Sequence, residues 1–211
     1  ILDVVTVNSG AAQVSILSGS GNGQFAEPEN YAVDAGASQI AAADLNQDGR
    51  LDLAVTNFDA NSVSILFNVG DGAFATQLQL DTDLNPTGVE SGDFNGDGVL
   101  DLAVANSGSN SVSVFLGDGS GHFGSPIAVP TGDQPESVLV GDFNHDQRLD
   151  LATVDRGTNS VTVLSGRGDG TFQSVAQIDL GNMANRGLLG DFNSDGNWDI
   201  ATANESSDVS V

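Results

Sequence analysis

The chain has 211 residues, 29 of them acidic and only five basic, which gives a formal net charge of −24 and a pI near 4.1. All five basic residues are arginines (Arg50, Arg148, Arg156, Arg167, Arg186), so there is no basic patch of the kind that nucleic acid or an anionic membrane requires. Cysteine is absent, which excludes disulfide and thiolate sites; no apolar run reaches the roughly 18 residues of a membrane span; and 39% hydrophobic residues is enough for a folded core rather than a disordered acidic tail.

The chain opens inside a strand-like run, Leu2-Asp3-Val4-Val5-Thr6-Val7, with neither an initiator Met nor a signal peptide, as expected of a processed chain or a piece of something longer. Leu2-Asp3-Val4-Val5 matches Leu51-Asp52-Leu53-Ala54, so the chain is expected to enter a repeat just inside a loop. The anchors of that repeat are Asp44, Asp93, Asp142 and Asp191, each 49 residues after the last. The loops they open read DLNQDGRLDL, DFNGDGVLDL, DFNHDQRLDL and DFNSDGNWDI. Within one unit, Thr87 to Phe94 is predicted to lead into the loop as a strand and Asp101 to Asn106 to leave it as another. A polar turn from Ser107 to Asn110 precedes a third strand, Ser111 to Leu116, which alternates polar and apolar with period 2. The glycine-rich turn 117–121 follows, and Phe123 to Val129 is the fourth strand. No helical stretch of useful length is found. At the far end, Val209-Ser210-Val211 matches Val161-Thr162-Val163 with one residue deleted.

These elements predict an all-β fold, a β-propeller-type repeat of four-stranded blades with a 49-residue period and four full repeats plus an overlap. A single repeat domain spans the chain, with units of about 1–43, 44–92, 93–141, 142–190 and a partial 191–211, as a fragment of or a protomer in something larger. A parallel β-helix has shorter coils and stacks them without hairpin loops. Four units are compatible with a small propeller, part of a larger ring, or an open array completed by another chain.

Each loop sets acidic or amide oxygens at positions 1, 3, 5 and 9: Asp44, Asn46, Asp48 and Asp52; Asp93, Asn95, Asp97 and Asp101; Asp142, Asn144, Asp146 and Asp150; Asp191, Asn193, Asp195 and Asp199. A glycine at position 6 permits a sharp turn that aims the backbone carbonyl of position 7 (Arg50, Val99, Arg148 or Asn197) at the same centre. Several carboxylates and a count of six to eight hard oxygens suit Ca²⁺, about one per loop, better than Mg²⁺. With no His or Cys at ligand spacing, zinc and copper are disfavoured. Asn, Asp and Gly also make good hairpin turns, but three crowded carboxylates repel one another unless a cation neutralises them. An EF-hand needs a carboxylate at position 12, where this chain has Val55, Val104, Thr153 and Thr202, and it needs flanking helices where this chain has strands.

Over essentially its whole length the chain resembles the FG-GAP/VCBS-type repeats of integrin-α-like β-propellers, which carry D-x-[DN]-x-D-G-x-x-D loops inside their blades. The resemblance implies that each quartet, from Asp44, Asp93, Asp142 and Asp191 onward, binds one Ca²⁺. It also implies an extracellular location, since such repeats occur in secreted adhesins, lectins and accessory domains of extracellular enzymes. Two departures stand out. Gly-Asp-Phe-Asn occupies the stretch near which the family has Gly-Ala-Pro, and Gln147 replaces the turn glycine of the third loop, whose site is expected to be strained or weaker.

Other features read as structural. The recurring G-D-G turns with Phe74, Phe123 and Phe172 are expected to be hairpins whose Phe packs between blades. Trp198 fills a slot held elsewhere by Leu51, Leu100 and Leu149 and is expected in the core. His122 and His145 have no suitably placed Ser or Cys partner, so no triad is proposed and no enzymatic activity is expected. Asn204-Glu205-Ser206 is a formal glycosylation sequon. The function expected is a calcium-stabilised extracellular scaffold for adhesion or for recognition of a protein or glycan ligand, without nucleic-acid binding or membrane insertion. The alternatives are a structural subunit that self-associates into a filament through open repeat ends, or a lectin or accessory domain of a secreted enzyme.

Overall fold

The computed structural model describes residues 2–75, 78–181, 184–204 and 209–210. The strands are β1 (Val4–Asn8), β2 (Gln13–Leu17), β3 (Glu29–Ala32), β4 (Ala37–Ala43), β5 (Asp52–Asn57), β6 (Ser62–Leu66), β7 (Asn68–Gly70), β8 (Ala73–Phe74), β9 (Leu78–Asp81) and β10 (Pro86–Gly92). They continue with β11 (Asp101–Asn106), β12 (Ser111–Phe115), β13 (Ile127–Pro130), β14 (Pro135–Gly141), β15 (Asp150–Asp155), β16 (Ser160–Gly166), β17 (Phe172–Asp179), β18 (Ala184–Gly190), β19 (Asp199–Asn204) and β20 (Val209–Ser210). A single 3₁₀ turn, Ser9–Ala11, interrupts the pattern among the described residues.

The strands form antiparallel meanders in chain order. Sheet 1 is β1-β2-β3, sheet 2 is β4-β5-β6-β9, sheet 3 is β10-β11-β12-β13, sheet 4 is β14-β15-β16-β17, and sheet 5 is β18-β19-β20. The small β7-β8 ribbon lies in the β6–β9 hairpin. The predicted blade is recovered with one shift. The fourth strand of sheet 3 begins at Ile127, and Phe123 makes only an isolated bridge to Gly117. The first strand of each sheet from β4 onward lies beside the first strand of the next, so β4, β10, β14 and β18 run side by side. Sheets stacked face to face with adjoining first strands are the propeller arrangement.

Each inner sheet is buried on both faces, and its alternating side chains serve two different neighbours. On β11, Leu102 and Val104 join Val63, Ile65 and Phe115 in the seam between sheets 2 and 3. Their neighbours Ala103 and Ala105 join Val112, Val114 and Leu151 in the seam between sheets 3 and 4. A third seam holds Val14, Ile16, Leu53 and Val55, and a fourth holds Leu139, Ala152, Val154 and Val161. Each buried Val, Leu, Ile or Phe side chain in these seams contributes about 1.5–3 kcal/mol.

The polar half of the alternating strands is also buried, and most of it bonds internally, although Asn106 Oδ1, Thr153 Oγ1 and Asp155 Oδ1 have no partner among the described residues. The Asn57 carboxamide meets the hydroxyls of Ser62 and Ser64 at 3.1 and 2.9 Å, and Asn106 meets those of Ser111 and Ser113 at 3.4 and 2.9 Å. Asp34 and Asp83 accept from Ser62 and Ser111, each at 2.9 Å. A period-2 serine pattern therefore marks a dry seam here and not a wet face.

Candidate metal centre

The four aspartate loops join the first and second strands of sheets 2 to 5, so all of them emerge at one end of the stack. Their shared sequence gives a shared network. In the second loop, Asp93 accepts from the backbone N–H groups of Asp97 (3.1 Å) and Gly98 (2.9 Å), and from Gly96 (2.7 Å). The Asn95 side-chain oxygen accepts from the same Asp97 N–H (3.0 Å), and Asp97 accepts from Val99 N–H (2.8 Å). Asp44, Asn46 and Asp48 make the corresponding bonds in the first loop, Asp142, Asn144 and Asp146 in the third, and Asp191, Asn193 and Asp195 in the fourth. Because oxygens of positions 1 and 3 share one donor, they point into the same turn.

The loop needs two left-handed residues. Position 6 has φ of +85°, +82° and +85° at Gly49, Gly98 and Gly196, and Gln147 takes +69° in the third loop. Position 4 is left-handed too, at Gln47, Gly96, His145 and Ser194, a requirement that the sequence reading did not identify. The strain expected of the third loop is thus located at Gln147. Replacing Gln147 with glycine is expected to stabilise the chain by about 1 kcal/mol, read from urea unfolding. No gain would mean that the αL conformation costs nothing there.

Position 9 has a structural task that a turn argument does not anticipate. Asp101 is completely buried; one oxygen accepts from Phe94 N–H at the loop entrance (2.8 Å) and the other from Gly117 N–H in the outer hairpin (2.9 Å). Asp52 spans Leu45 and Asn68 in the same way, and Asp150 spans Phe143 and Gly166. Asp199 holds Phe192 N–H, and Asp3 holds Gly19 N–H. This carboxylate stitches the loop to the hairpin of its own sheet.

The electrostatics differ along each loop. Burial pushes Asp52 and Asp101 above the usual carboxylate range; backbone N–H groups act against the shift, and the loop carboxylates at positions 5 and 1 add to it. Asp195 is lowered, chiefly by Asn197 N–H. For Asp142, burial acts upward but is outweighed by the N–H groups of Gln147, Asp146 and His145, so its carboxyl stays below the usual range. In the first and third loops the position-7 arginines pair with position 5, Arg50 with Asp48 and Arg148 with Asp146. Val99 and Asn197 leave the other two loops without such a partner.

The donor set fits a hard cation. Each loop carries three carboxylates and an amide oxygen in its sequence, and the N–H bonds leave lone pairs on the carboxylate oxygens. Among the described residues no three acidic or histidine side chains are drawn tightly enough to hold an ion as they stand. A loop would therefore pull its carboxylates inward on binding.

The loops are tied to one another and to the next sheet. Gln47 Nε2 donates to Gly98 O (3.0 Å), and His145 Nε2 meets Asn197 Oδ1 (2.8 Å). Gly170, in the outer hairpin of sheet 4, donates to Phe94 O in the loop of sheet 3 (3.0 Å). Phe172 packs edge-on against Phe94, with ring centroids 5.6 Å apart, and Phe74 packs likewise on Tyr31 at 5.4 Å. In these G-D-G turns the aspartate turns inward: Asp118 accepts from Ser120 and Asp169 from Thr171.

Two other sequence expectations change. Trp198 is half exposed, as is Leu51, and it borders an apolar groove with Phe143, Val161 and Ile178; the core covers this slot only at Leu100 and Leu149. His122 does have a serine beside it, with Ser120 Oγ 2.9 Å from Nδ1. Ser120 also bonds Asp118, and all three side chains lie in one exposed turn, which is not a relay in which the acid orients the imidazole. The sequon at Asn204 extends into residues 205–206, which, like Val211 of the matched terminal segment, lie outside the described residues.

The FG-GAP-like repeat family model matches the chain four times, at residues 1–55, 44–104, 93–153 and 146–202. Among solved structures the fold is similar to a protein from Lactobacillus plantarum (19% identity, TM-score 0.69), covering 99% of this chain and 66% of that one. It is also similar to a streptogramin B lyase (17%, TM-score 0.66, 99% and 64%) and to a catalytically inactive virginiamycin B lyase from Staphylococcus aureus (14%, TM-score 0.63, 98% and 61%). The chain thus spans under two thirds of each of these, and identities this low establish the fold alone. No curated protein matches the chain. Among the described residues no helix is long and apolar enough to cross a membrane.

Proposed function

The chain belongs to the FG-GAP-like repeat family, and from that premise we propose that it is a calcium-stabilised β-propeller scaffold of an extracellular or cell-surface protein, used for adhesion or for recognition of a protein or glycan ligand. One observation supports the calcium reading: four loops repeat the same pattern of three aspartates and one asparagine at one end of the stack. They concentrate twelve aspartates there, in a chain that already carries −24. In each loop the ion would be held by positions 1, 3, 5 and 9 with the position-7 carbonyl, as by Asp93, Asn95, Asp97, Asp101 and Val99. Its contribution is charge neutralisation between strands, with no chemistry of its own. Sites of this kind in extracellular modules have Kd of about 10⁻⁴–10⁻³ M, suited to the calcium outside cells.

Thermal unfolding in calcium and in EDTA tests the reading. At roughly 2 mM calcium each filled loop is expected to add about 1 kcal/mol by mass action, so EDTA lowers Tm by several degrees. Magnesium should restore little of that loss. Superimposable melting curves with and without EDTA would remove calcium from the account.

A further inference from the structure

Ala41, Glu90, Leu139 and Leu188 stand at equivalent positions in the first strands of sheets 2 to 5, each 49 residues from the next. Ala41 packs against the seam between sheets 2 and 3, and Leu139 is buried in the seam between sheets 4 and 5. Glu90 puts a carboxylate into this apolar series. It is largely withdrawn from solvent, and among the described residues it makes no hydrogen bond or ion pair. Burial alone pushes its carboxyl upward, with no neighbouring charge contributing. The position accepts a methyl group or an isobutyl group in other repeats, so neither packing nor folding requires an acid there.

Glu90 lines an open cavity of about 470 Å³ whose wall is otherwise Ser91, Gly187 and a run of aliphatic side chains, chiefly Leu139, Leu149, Leu188 and Leu189. That volume lies within the range of small-molecule sites, which are mostly apolar with a few polar groups that fix orientation. A metal ion is a poor match, because one carboxylate supplies far fewer oxygens than calcium takes. An unpaired carboxylate in such a wall is matched by a positive charge that carries its own hydrocarbon. The strongly negative chain also raises the local concentration of cations.

We propose that this cavity binds a small organic ammonium ion, with Glu90 taking the charged nitrogen and the leucine wall taking the hydrocarbon body. The site does not depend on the calcium reading. The test uses the full chain, methyl-labelled and held in excess calcium so that the aspartate loops do not compete for the probe. It is titrated with n-hexylammonium and, separately, with n-hexanol, following the methyl signals of Leu139, Leu188 and Leu189. Saturable shifts are expected, with the ammonium binding about tenfold more tightly than the alcohol. Glu90→Gln should bring the ammonium down to the alcohol's affinity and leave the alcohol unchanged. Glu90→Leu should abolish ammonium binding and raise Tm. The proposal is overturned by the absence of saturable shifts, by equal affinity for the two probes, by a preference that survives in Glu90→Gln, or by a lower Tm in Glu90→Leu.

Discussion

Replacing Asp101 with alanine is expected to lower stability by about 3–5 kcal/mol, in EDTA as well as in calcium. The main reason lies in the stitch, which holds whether or not an ion is bound. Both oxygens of this fully buried side chain accept backbone N–H groups, from Phe94 at 2.8 Å and Gly117 at 2.9 Å. Alanine leaves both donors buried without an acceptor, and each such loss costs about 1–3 kcal/mol before any cavity is counted. Asparagine keeps one acceptor oxygen and should fall between wild type and alanine. Asp97 makes only exposed contacts inside its own loop, so Asp97→Ala in EDTA should cost less than about 1 kcal/mol. Urea unfolding of both variants, with and without calcium, separates the two roles. Equal losses in EDTA would sink the stitch.

The second large effect has the opposite sign. Asp155→Asn is expected to stabilise the chain at pH 7.5 by about 2–3 kcal/mol and to be nearly neutral at pH 4. The position corresponds to Asn8, Asn57, Asn106 and Asn204 in the other repeats. Asp155 is completely buried, one oxygen has no partner among the described residues, and the other accepts from Thr162. Gly132 packs against the carboxylate so closely that a Cβ there would collide with it. Burial pushes the group from 3.8 up to about 6; the Thr162 hydroxyl acts against this shift, and nearby Asp133 adds to it. Since the folded value lies above the unfolded one, the native state binds the proton more tightly. The stability contribution is complete below about pH 3.8 and is lost as pH rises through about 6. Asparagine removes that loss. Denaturant midpoints from pH 4 to 8 should fall more steeply for wild type than for the variant, and parallel curves would show that Asp155 is not the titrating group.

What the sequence made legible was whatever repeats. The 49-residue interval located four loops, the four-stranded blade and the phenylalanines that pack between sheets. The boundary error at β13 came from reading Phe123 as a strand residue, when the turn keeps it beside Gly117 and the ladder starts at Ile127. Serine alternation on β12 marked a strand but did not show where its polar side goes; Asn57 and Asn106 bond those hydroxyls on β6 and β12 inside a seam. The position-9 aspartates were visible as potential ion ligands only, because their N–H partners lie 16 residues downstream in Asn68, Gly117 and Gly166, a pairing that no local pattern encodes. Trp198 and Leu51 share a sequence slot with Leu100 and Leu149 but not their burial, since exposure depends on which sheet lies opposite. Glu90, by contrast, could have been found by comparing the repeats position by position.

The bond from Gly170 to Phe94 joins a hairpin of one sheet to the loop of the sheet before it. Together with the Gln47 and His145 links between successive loops, it makes the chain behave as a row of coupled units. In such a row, ordering one member favours its neighbour, and the free energy is close to a sum of unit and nearest-neighbour terms. An event at one loop is therefore felt one sheet away and fades along the row, so the stack responds to its surroundings as a graded series of neighbours and not as a single switch.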